Sequence, residues 1–321
     1  MSSGGIGFVV IGRNEGDRLR LCLKSVLSQS ERVVYADSRS TDGSDSLANN
    51  MGVQVVVVED DPMTAARGRN TGYAALRRTW PDVELVQFID GDCVLDPAWI
   101  ATATAFLRDH PKAAVACGRR REAHPNASFY NQVIDHEWDT PIGQADASGG
   151  DALVRASAFD AVNGFRSEIV AGEEPDFCAR LRAAGWQIWR LDAPMTEHDA
   201  RILGLGQWMR RAMRSGFGYA QNRALYGREM MSALAWGVGV PVIILLAALA
   251  LREPLVLLLL PIVLAVQIAR VALRGGSTAH AWKYAALVMI AKVGEAIGVL
   301  RYFAAARSTR AFEYKPVQPA A

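Results

Sequence analysis

"VQFIDGDCVLDP", residues 86–97, reads as a buried strand of Val86, Phe88 and Ile89 that ends on two acids, Asp90 and Asp92, with one glycine between them. Like charges held this close repel, and burial strengthens the repulsion. Two explanations fit. Asp-Gly-Asp is good turn chemistry. Alternatively, two acids one residue apart can share a hard divalent cation, which relieves the repulsion. The stretch alone leaves both open.

Its flanks set the fold. "IGFVVIG" (6–12), "RVVYAD" (32–37), "VQVVVVED" (53–60) and "ELVQFID" (84–90) read as strands. "DRLRLCLKSVLSQ" (17–29) places Leu19, Cys22, Leu23, Val26 and Leu27 at helical spacing. "MTAARGRNTGYAALRRT" (63–79) is also helical, and "PAWIATATAFLRDH" (97–110) predicts a helix opening at Pro97. "SRSTDGSDSLANNMG" (38–52) reads as a polar connection. The alternation predicts an α/β domain with a mainly parallel sheet. Ligands gather at the carboxyl ends of strands in such sheets, where Asp37 and Asp90 stand.

The chain has 321 residues and a formal net charge of +2, so charge does not imply a polyanion partner. Cys22, Cys93, Cys117 and Cys178 form no C-x-x-C pair, which argues against a disulfide framework or zinc site and fits a reducing cytosol. "MSSGGIGFVVIG" does not read as a signal peptide. Mean hydropathy is slightly positive, and the apolar excess lies after about residue 232. From Ser232 to Leu251 there is no charge. At about 1.5 Å per residue this run spans roughly 30 Å, a bilayer core. A second run, Leu255 to Leu273, follows after "REP". The pair reads as a transmembrane hairpin with Arg252 and Glu253 outside and both flanks in the cytoplasm.

A third apolar segment, 281–306, carries Lys292 and Glu295 at i,i+3 and precedes a tail with Arg307, Arg310 and Lys315. Basic flanks favour the cytoplasm, so this segment is expected to lie in the interface rather than span. Residues 201–231 mix Trp208, Phe217 and Tyr219 with Arg201, Arg210, Arg211, Arg214 and Arg223, among others, and read as a basic amphipathic collar on an anionic membrane face. No nucleic-acid fold signature accompanies them. The expected organisation is a cytoplasmic α/β domain (1–200), the collar (201–231), the membrane segment (232–306) and a tail (307–321).

Further acids lie in "AGEEPDFCARLRAAG" (171–185). Pro175 fits a first helical position, which would make Glu174 an N-cap with purely structural work; a chemical role is the other reading. A metal pair predicts a phosphate-bearing ligand, whose charge Arg67 or Arg69 would meet. His198 in "MTEHDA" suits manganese if it faces the Asp pair.

Taken in order, "VVIGRNEGDRL", "YADSRSTDGS", "GRNTG", Asp90-Gly91-Asp92, "ASGGDALVRASAFDAVNGF" and "GEEPDFCARLRAAGW" resemble glycosyltransferase family 2 over about residues 6–200. These are inverting nucleotide-sugar transferases with a GT-A fold, here of the membrane-anchored bacterial type. The resemblance implies that Asp37 and Glu15, with Arg13, hold the nucleoside. Arg69 would contact the base or diphosphate, with Arg67 beside it. Asp90 would meet the ribose, and Asp92, Asp90 and His198 would hold Mn2+ or Mg2+. Glu174 or its neighbour Glu173 matches the base, with Asp176 on the same helix. Gly149, Gly150 and Asp151 would face the acceptor.

Three departures stand out. Glu-Glu replaces the usual pair ending in aspartate, Gly68 stands where alanine is usual, and "QWMRRAM" has Gln207 and Arg210 without a following tryptophan, which argues against processive polymerisation. The implied activity is transfer from a nucleotide sugar, UDP-sugar favoured, to a hydroxyl of a lipid-linked glycan at the inner membrane. Rival readings are a polyprenyl-phosphate glycosyltransferase, a nucleotidyltransferase and a non-catalytic nucleotide-sugar-binding membrane protein.

Overall fold

The computed structural model describes residues 5–305, which form two compact units, 5–203 and 204–305. The tail arginines Arg307 and Arg310, Lys315, Ala306 and the first four residues lie outside the described residues.

The first unit is α/β. It begins β1 (Gly5–Gly12), α1 (Asp17–Leu27), β2 (Val33–Asp37), α2 (Ser44–Asn50), β3 (Gln54–Val57), α3 (Ala65–Thr79) and β4 (Val83–Asp90). Then come β5 (Cys93–Leu95), α4 (Trp99–Asp109), β6 (Ala113–Glu122), α5 (Phe129–Trp138), β7 (Gly143–Gln144) and β8 (Ala152–Arg155). It ends with α6 (Ala156–Ala161), α7 (Glu173–Ala183) and β9 (Gln187–His198). The sheet runs β3-β2-β1-β4-β8-β6-β9-β5, with β7 on β9. β3, β2, β1 and β4 are parallel, as is the β6–β9 pair. β8 runs antiparallel between β4 and β6. The mainly parallel α/β fold expected from the alternation is present.

Burial explains the strands' composition. All five residues of β2 are buried, as suits a parallel strand covered on both faces. α3 lies hard against β1, because a Cβ on Gly72 would come within 2.4 Å of Val9 Cγ1. Gly68, one turn earlier, has Ile11 Cγ2 3.3 Å from where its Cβ would be, so the missing methyl relaxes the same contact.

Two local expectations fail. Residues 44–50 of the polar connection form α2, held against its neighbours through buried Ser44 and Ala48. Pro97 does not open α4; it sits in a turn in which Trp99 N donates to Asp96 O (3.1 Å), and the helix starts at Trp99.

The second unit is helical: α8 (Leu205–Gln221), α9 (Arg223–Leu234), α10 (Val240–Leu251), α11 (Leu259–Arg274) and α12 (Ala279–Ala305). A π-helical turn, Ala235–Gly239, joins α9 to α10, and a 3-10 turn, Pro254–Leu258, leads into α11. The basic segment is two helices broken at Asn222. Arg223–Leu251 and Pro254–Arg274 are long and apolar enough to cross a membrane. α12 packs along α8, with Lys292 Nζ 2.7 Å from Glu295 Oε2.

Candidate active site

Parallel pairing gathers the strand-end acids. In register, Gly12 pairs with Asp37 and Ile11 with Asp90, so both acids flank the end of β1. Asp37 is buried and accepts from Tyr35 Oη (3.0 Å) and Ser40 N (2.8 Å). Burial and the Asp37 charge push the Tyr35 phenol up, which keeps it protonated as the donor. Past β1, Arg13 and Glu15 are both buried, and Glu15 Oε2 lies 2.6 Å from Arg18.

The opening stretch is both a turn and a cluster. Gly91 and Asp92 turn the chain from β4 into β5, and Gly91 N donates to Ile11 O (2.7 Å). The two acids then part. Asp90 meets Arg69 (2.9 Å) and Arg120 (3.3 Å), while its backbone N–H donates to Asp151 Oδ1 (2.9 Å). Asp92 lies 3.3 Å from His198 Nε2 and 3.9 Å from Arg18. Two guanidinium groups thus relieve the repulsion at Asp90, leaving Asp92 beside an imidazole. Cys93 and His198 are direct partners across the β5–β9 ladder. The ligand atoms of Asp92, Cys93 and His198 all lie within 4.8 Å of one another, and those of Asp90, Cys93 and Asp151 form a second such group. The carboxylates of these groups suit manganese or magnesium, and His198 adds one nitrogen donor.

α3 ties this cluster to α7. Arg69 is buried and reaches Glu173 Oε1 (2.6 Å) as well as Asp90. Arg67 points elsewhere and pairs with exposed Asp60 at 3.3 Å.

α7 corrects the capping expectation. Gly172, at φ 85°, precedes the helix, which begins at Glu173, so Glu174 is not the N-cap and Pro175 is the third helical residue. The Glu174 side chain instead turns inward. Its Oε1 accepts from Ser148 N, Ser148 Oγ (2.8 Å) and Cys178 Sγ (2.9 Å). Burial raises its pKa against those donors, and Glu173 adds to the rise. Asp176 faces Arg166 (3.1 Å) and Arg180 (2.9 Å), and Arg180 also donates to Val162 O and Gly164 O. That set anchors α7 to the preceding loop.

A cavity of about 550 Å3 is lined by Arg120, Trp138, Glu174, Arg190 and the loop Gly149-Gly150-Asp151. Asp151 is fully buried and accepts from Thr196 Oγ1 (2.8 Å). Gly150 passes so close to Asp90 that an added Cβ would sit 2.9 Å from its Oδ2.

Arg120 was not anticipated from the sequence. It lies over the Trp138 ring at 4.8 Å and between Asp90 and Asp151. Burial works against its charge, but the surrounding acids, Asp151 foremost, outweigh it. A signal existed: the apolar strand β6 runs into three arginines, Arg119 to Arg121, before its last residue, Glu122. Ser148 and Cys178 carried no such signal, because only the fold brings them to Glu174.

The sequence matches the glycosyl transferase family 2 model over residues 8–161 and the glycosyl transferase family group 2 model over residues 85–269. It is 22% identical over 175 residues to the O-antigen chain rhamnosyltransferase WbaN of Salmonella anatum, covering 50% of this chain and 54% of that protein. The chain therefore spans about half the length of this relative. The structure is similar to the mannosyltransferase PcManGT of Pyrobaculum calidifontis, solved with GDP-Man and Mn2+: TM-score 0.59, 18% identity, 92% of this chain and 86% of that one. It is also similar to glucosyl-3-phosphoglycerate synthase of Mycobacterium tuberculosis, solved with Mn2+, UDP and glucosyl-3-phosphoglycerate: TM-score 0.50, 16% identity, covering 70% and 81%.

Proposed function

The chain belongs to glycosyltransferase family 2, and from that premise we propose that it is a metal-dependent inverting glycosyltransferase. It moves a sugar from a nucleoside-diphosphate sugar to a hydroxyl of a lipid-linked glycan. The observation that carries this reading is the inward-turned carboxylate of Glu174 on a cavity it shares with Arg120 and Asp151, both of which contact Asp90, while Asp92, just beyond Asp90 in the chain, stands 3.3 Å from His198.

Asp92 and His198, with Asp90 behind them, would hold Mn2+ or Mg2+. When bound, such a cation neutralises charge on a leaving diphosphate. Asp37 and Glu15, with Arg13 beside them, face the nucleoside, and Arg69 steadies the diphosphate side through Asp90 and Glu173. Arg67, paired at the surface, is left out of this set. Gly149, Gly150 and Asp151 border the acceptor. The acceptor oxygen attacks the anomeric carbon as the bond to the diphosphate breaks, and configuration inverts. Glu174 takes the acceptor proton. A buried carboxylate with a raised pKa is a stronger base than an ordinary one at about 4.3. Asp176 has no part in this step, being held by Arg166 and Arg180.

The helices Arg223–Leu251 and Pro254–Arg274 support a membrane anchor. We place them across the cytoplasmic membrane with the α/β unit inside and Arg252–Glu253 outside. The lipid-linked acceptor rests on that placement, and the donor class on the nucleotides carried by the structural neighbours.

The test measures kcat, donor Kd and melting temperature. Glu174→Gln should lower kcat by about 10²–10⁴-fold and leave donor Kd unchanged. Glu173→Gln should weaken donor binding instead. Asp92→Asn should abolish the manganese dependence of donor binding while the fold survives. A Glu174→Gln enzyme with wild-type kcat would overturn the assignment; activity on a lipid phosphate, which needs no base, would then replace it. Labelling of Glu253→Cys by an impermeant reagent in intact cells checks topology, and protection there with labelling at Arg228→Cys would reverse the orientation.

A further inference from the structure

We infer that Ser148 and Cys178 are positioning residues that clamp one oxygen of the Glu174 carboxylate and leave the other to act as the base. This rests on the reading of Glu174 given above.

The argument starts from an asymmetry. Three donors converge on Oε1: the Ser148 amide, the Ser148 hydroxyl at 2.8 Å and the Cys178 thiol at 2.9 Å. Among the described residues the hydrogen bonds to this carboxylate all go to Oε1, and Glu174 lines the cavity. A carboxylate held by one oxygen cannot swing, so the other oxygen faces a fixed direction. The donors come from two elements. Cys178 lies one turn along α7 from Glu174, so its thiol meets the carboxylate at i,i+4 spacing. Ser148 sits on the loop before β8, and Arg190 on β9 fixes that loop by donating to Ala147 O and Ser148 O, both at 3.2 Å. The Ser148 hydroxyl is also 3.2 Å from Gly149 O, a longer alternative for its one proton.

The thiol is a donor here rather than a nucleophile. Burial and the Glu174 charge push Cys178 well above its ordinary pKa, so it keeps its proton. The other charged and titratable groups facing Glu174 are Glu173 on its own helix, Cys117 and Arg120 on β6, and Arg190 on β9. Glu137, Asp146 and Asp151 complete the charged lining of the cavity. The departure from aspartate to glutamate at 174 acquires a reason. The longer side chain reaches the Ser148 amide and still presents an oxygen to the cavity.

Donors to the ionised form favour it, so removing one should move the base's titration upward. The experiment follows kcat and KM against pH in the full-length protein, for Cys178→Ala, Cys178→Ser, Ser148→Ala and Glu174→Gln. Cys178→Ala and Ser148→Ala should each lower kcat about tenfold, the size expected for one hydrogen bond to a charged group. Donor KM should stay unchanged, and the acid limb of the kcat profile should shift to higher pH. Cys178→Ser keeps a donor in the same place and should restore both rate and limb. Melting temperatures separate these effects from loss of fold, and Cys178→Ser serves if the alanine variant is unstable. If the limb depends on Glu174 but stays put in Cys178→Ala and Ser148→Ala, the clamp is refuted while the base stands. If Glu174→Gln keeps wild-type kcat, the base reading fails and the clamp falls with it.

Discussion

The two units of this chain bury opposite things. In the α/β unit the large apolar side chains are inside: Phe8, Tyr35 and Trp99 are fully buried, and Phe88 is 1% exposed. In the helical unit Ile243 is 67% exposed and Leu255 71%, whereas Ala285, Ala296 and Val299 are buried. One charged pair turns inward as well, Lys292 and Glu295 at 2.7 Å. Water drives large apolar groups together in the first unit. In the second, size decides which residues touch. A Cβ on Gly298 would lie 2.0 Å from Met213 O, and one on Gly216 would lie 1.9 Å from Glu295 O, so α8 and α12 meet backbone to backbone. Small residues at the contact and large apolar ones outside are the pattern of helices packed in lipid, and it supports the proposed membrane placement.

The most direct way to break this comparison is to make one type of change in both units. Phe88→Ala should cost about 3–5 kcal/mol, because Phe88 packs against Phe159 and Phe165 and a cavity would remain. Ile243→Ala should cost less than about 0.5 kcal/mol, as for a surface site. Thermal unfolding in detergent micelles, read by the accessibility of buried cysteines in the α/β unit and by helix content, measures both. Equal losses would show that the two units obey one burial rule.

A smaller effect is expected from filling the helix contact. Gly298→Leu and Gly216→Leu should each destabilise the helical unit by about 1–3 kcal/mol, the usual cost of overpacking. Gly227 has nothing within 4 Å of its would-be Cβ and lies within α9. Gly227→Ala should therefore be neutral, or stabilising by about 0.5–1 kcal/mol. Protease sensitivity near Asn222, where α8 and α9 meet, reports the loosening of α8. If Gly298→Leu behaves like Gly227→Ala, the close α8–α12 approach is wrong.

The comparison also shows what a sequence displays. Strands β1, β2 and β4 are legible because parallel strands covered on both faces must be apolar throughout, and their terminal acids stand out against that background. α2 was hidden, since a helix with two buried small residues, Ser44 and Ala48, has no apolar stripe to read. In the site, Asp90 and Asp92 were visible as a pair, but their division between arginines and histidine was not. Arg120 is thirty residues away and reaches Asp90 only through the β4-β8-β6 order of the sheet. The N-cap expectation at Glu174 erred because Pro175 fits the third helical position as well as the first. Only the αL geometry of Gly172 selects between them. In the helical unit hydropathy shows the two long apolar runs but not their contacts, which glycines and alanines make.

The smallest effect sharpens the comparison at its charges. The helical unit pairs Glu295 with Lys292, whereas the α/β unit buries the Glu174 carboxylate against neutral donors only. Desolvation disfavours its charged form, and the Ser148 and Cys178 donors offset part of that cost. Its folded pKa therefore lies above the unfolded one. By linkage, the stability it contributes is fully present below the unfolded pKa of about 4.3 and is lost as pH rises through the raised folded value. Glu174→Gln keeps an acceptor for the three donors and carries no charge to desolvate. The variant should thus melt higher than wild type at pH 8, and the gap should close as pH falls toward 4. Paired melting curves across that range measure it. A gap that widens on acidification would mean that the donors outweigh burial and that the carboxylate is stabilised in its charged form. Glu174 would then be too weak a base for the role proposed, and the measurement tests the catalytic assignment without any turnover assay.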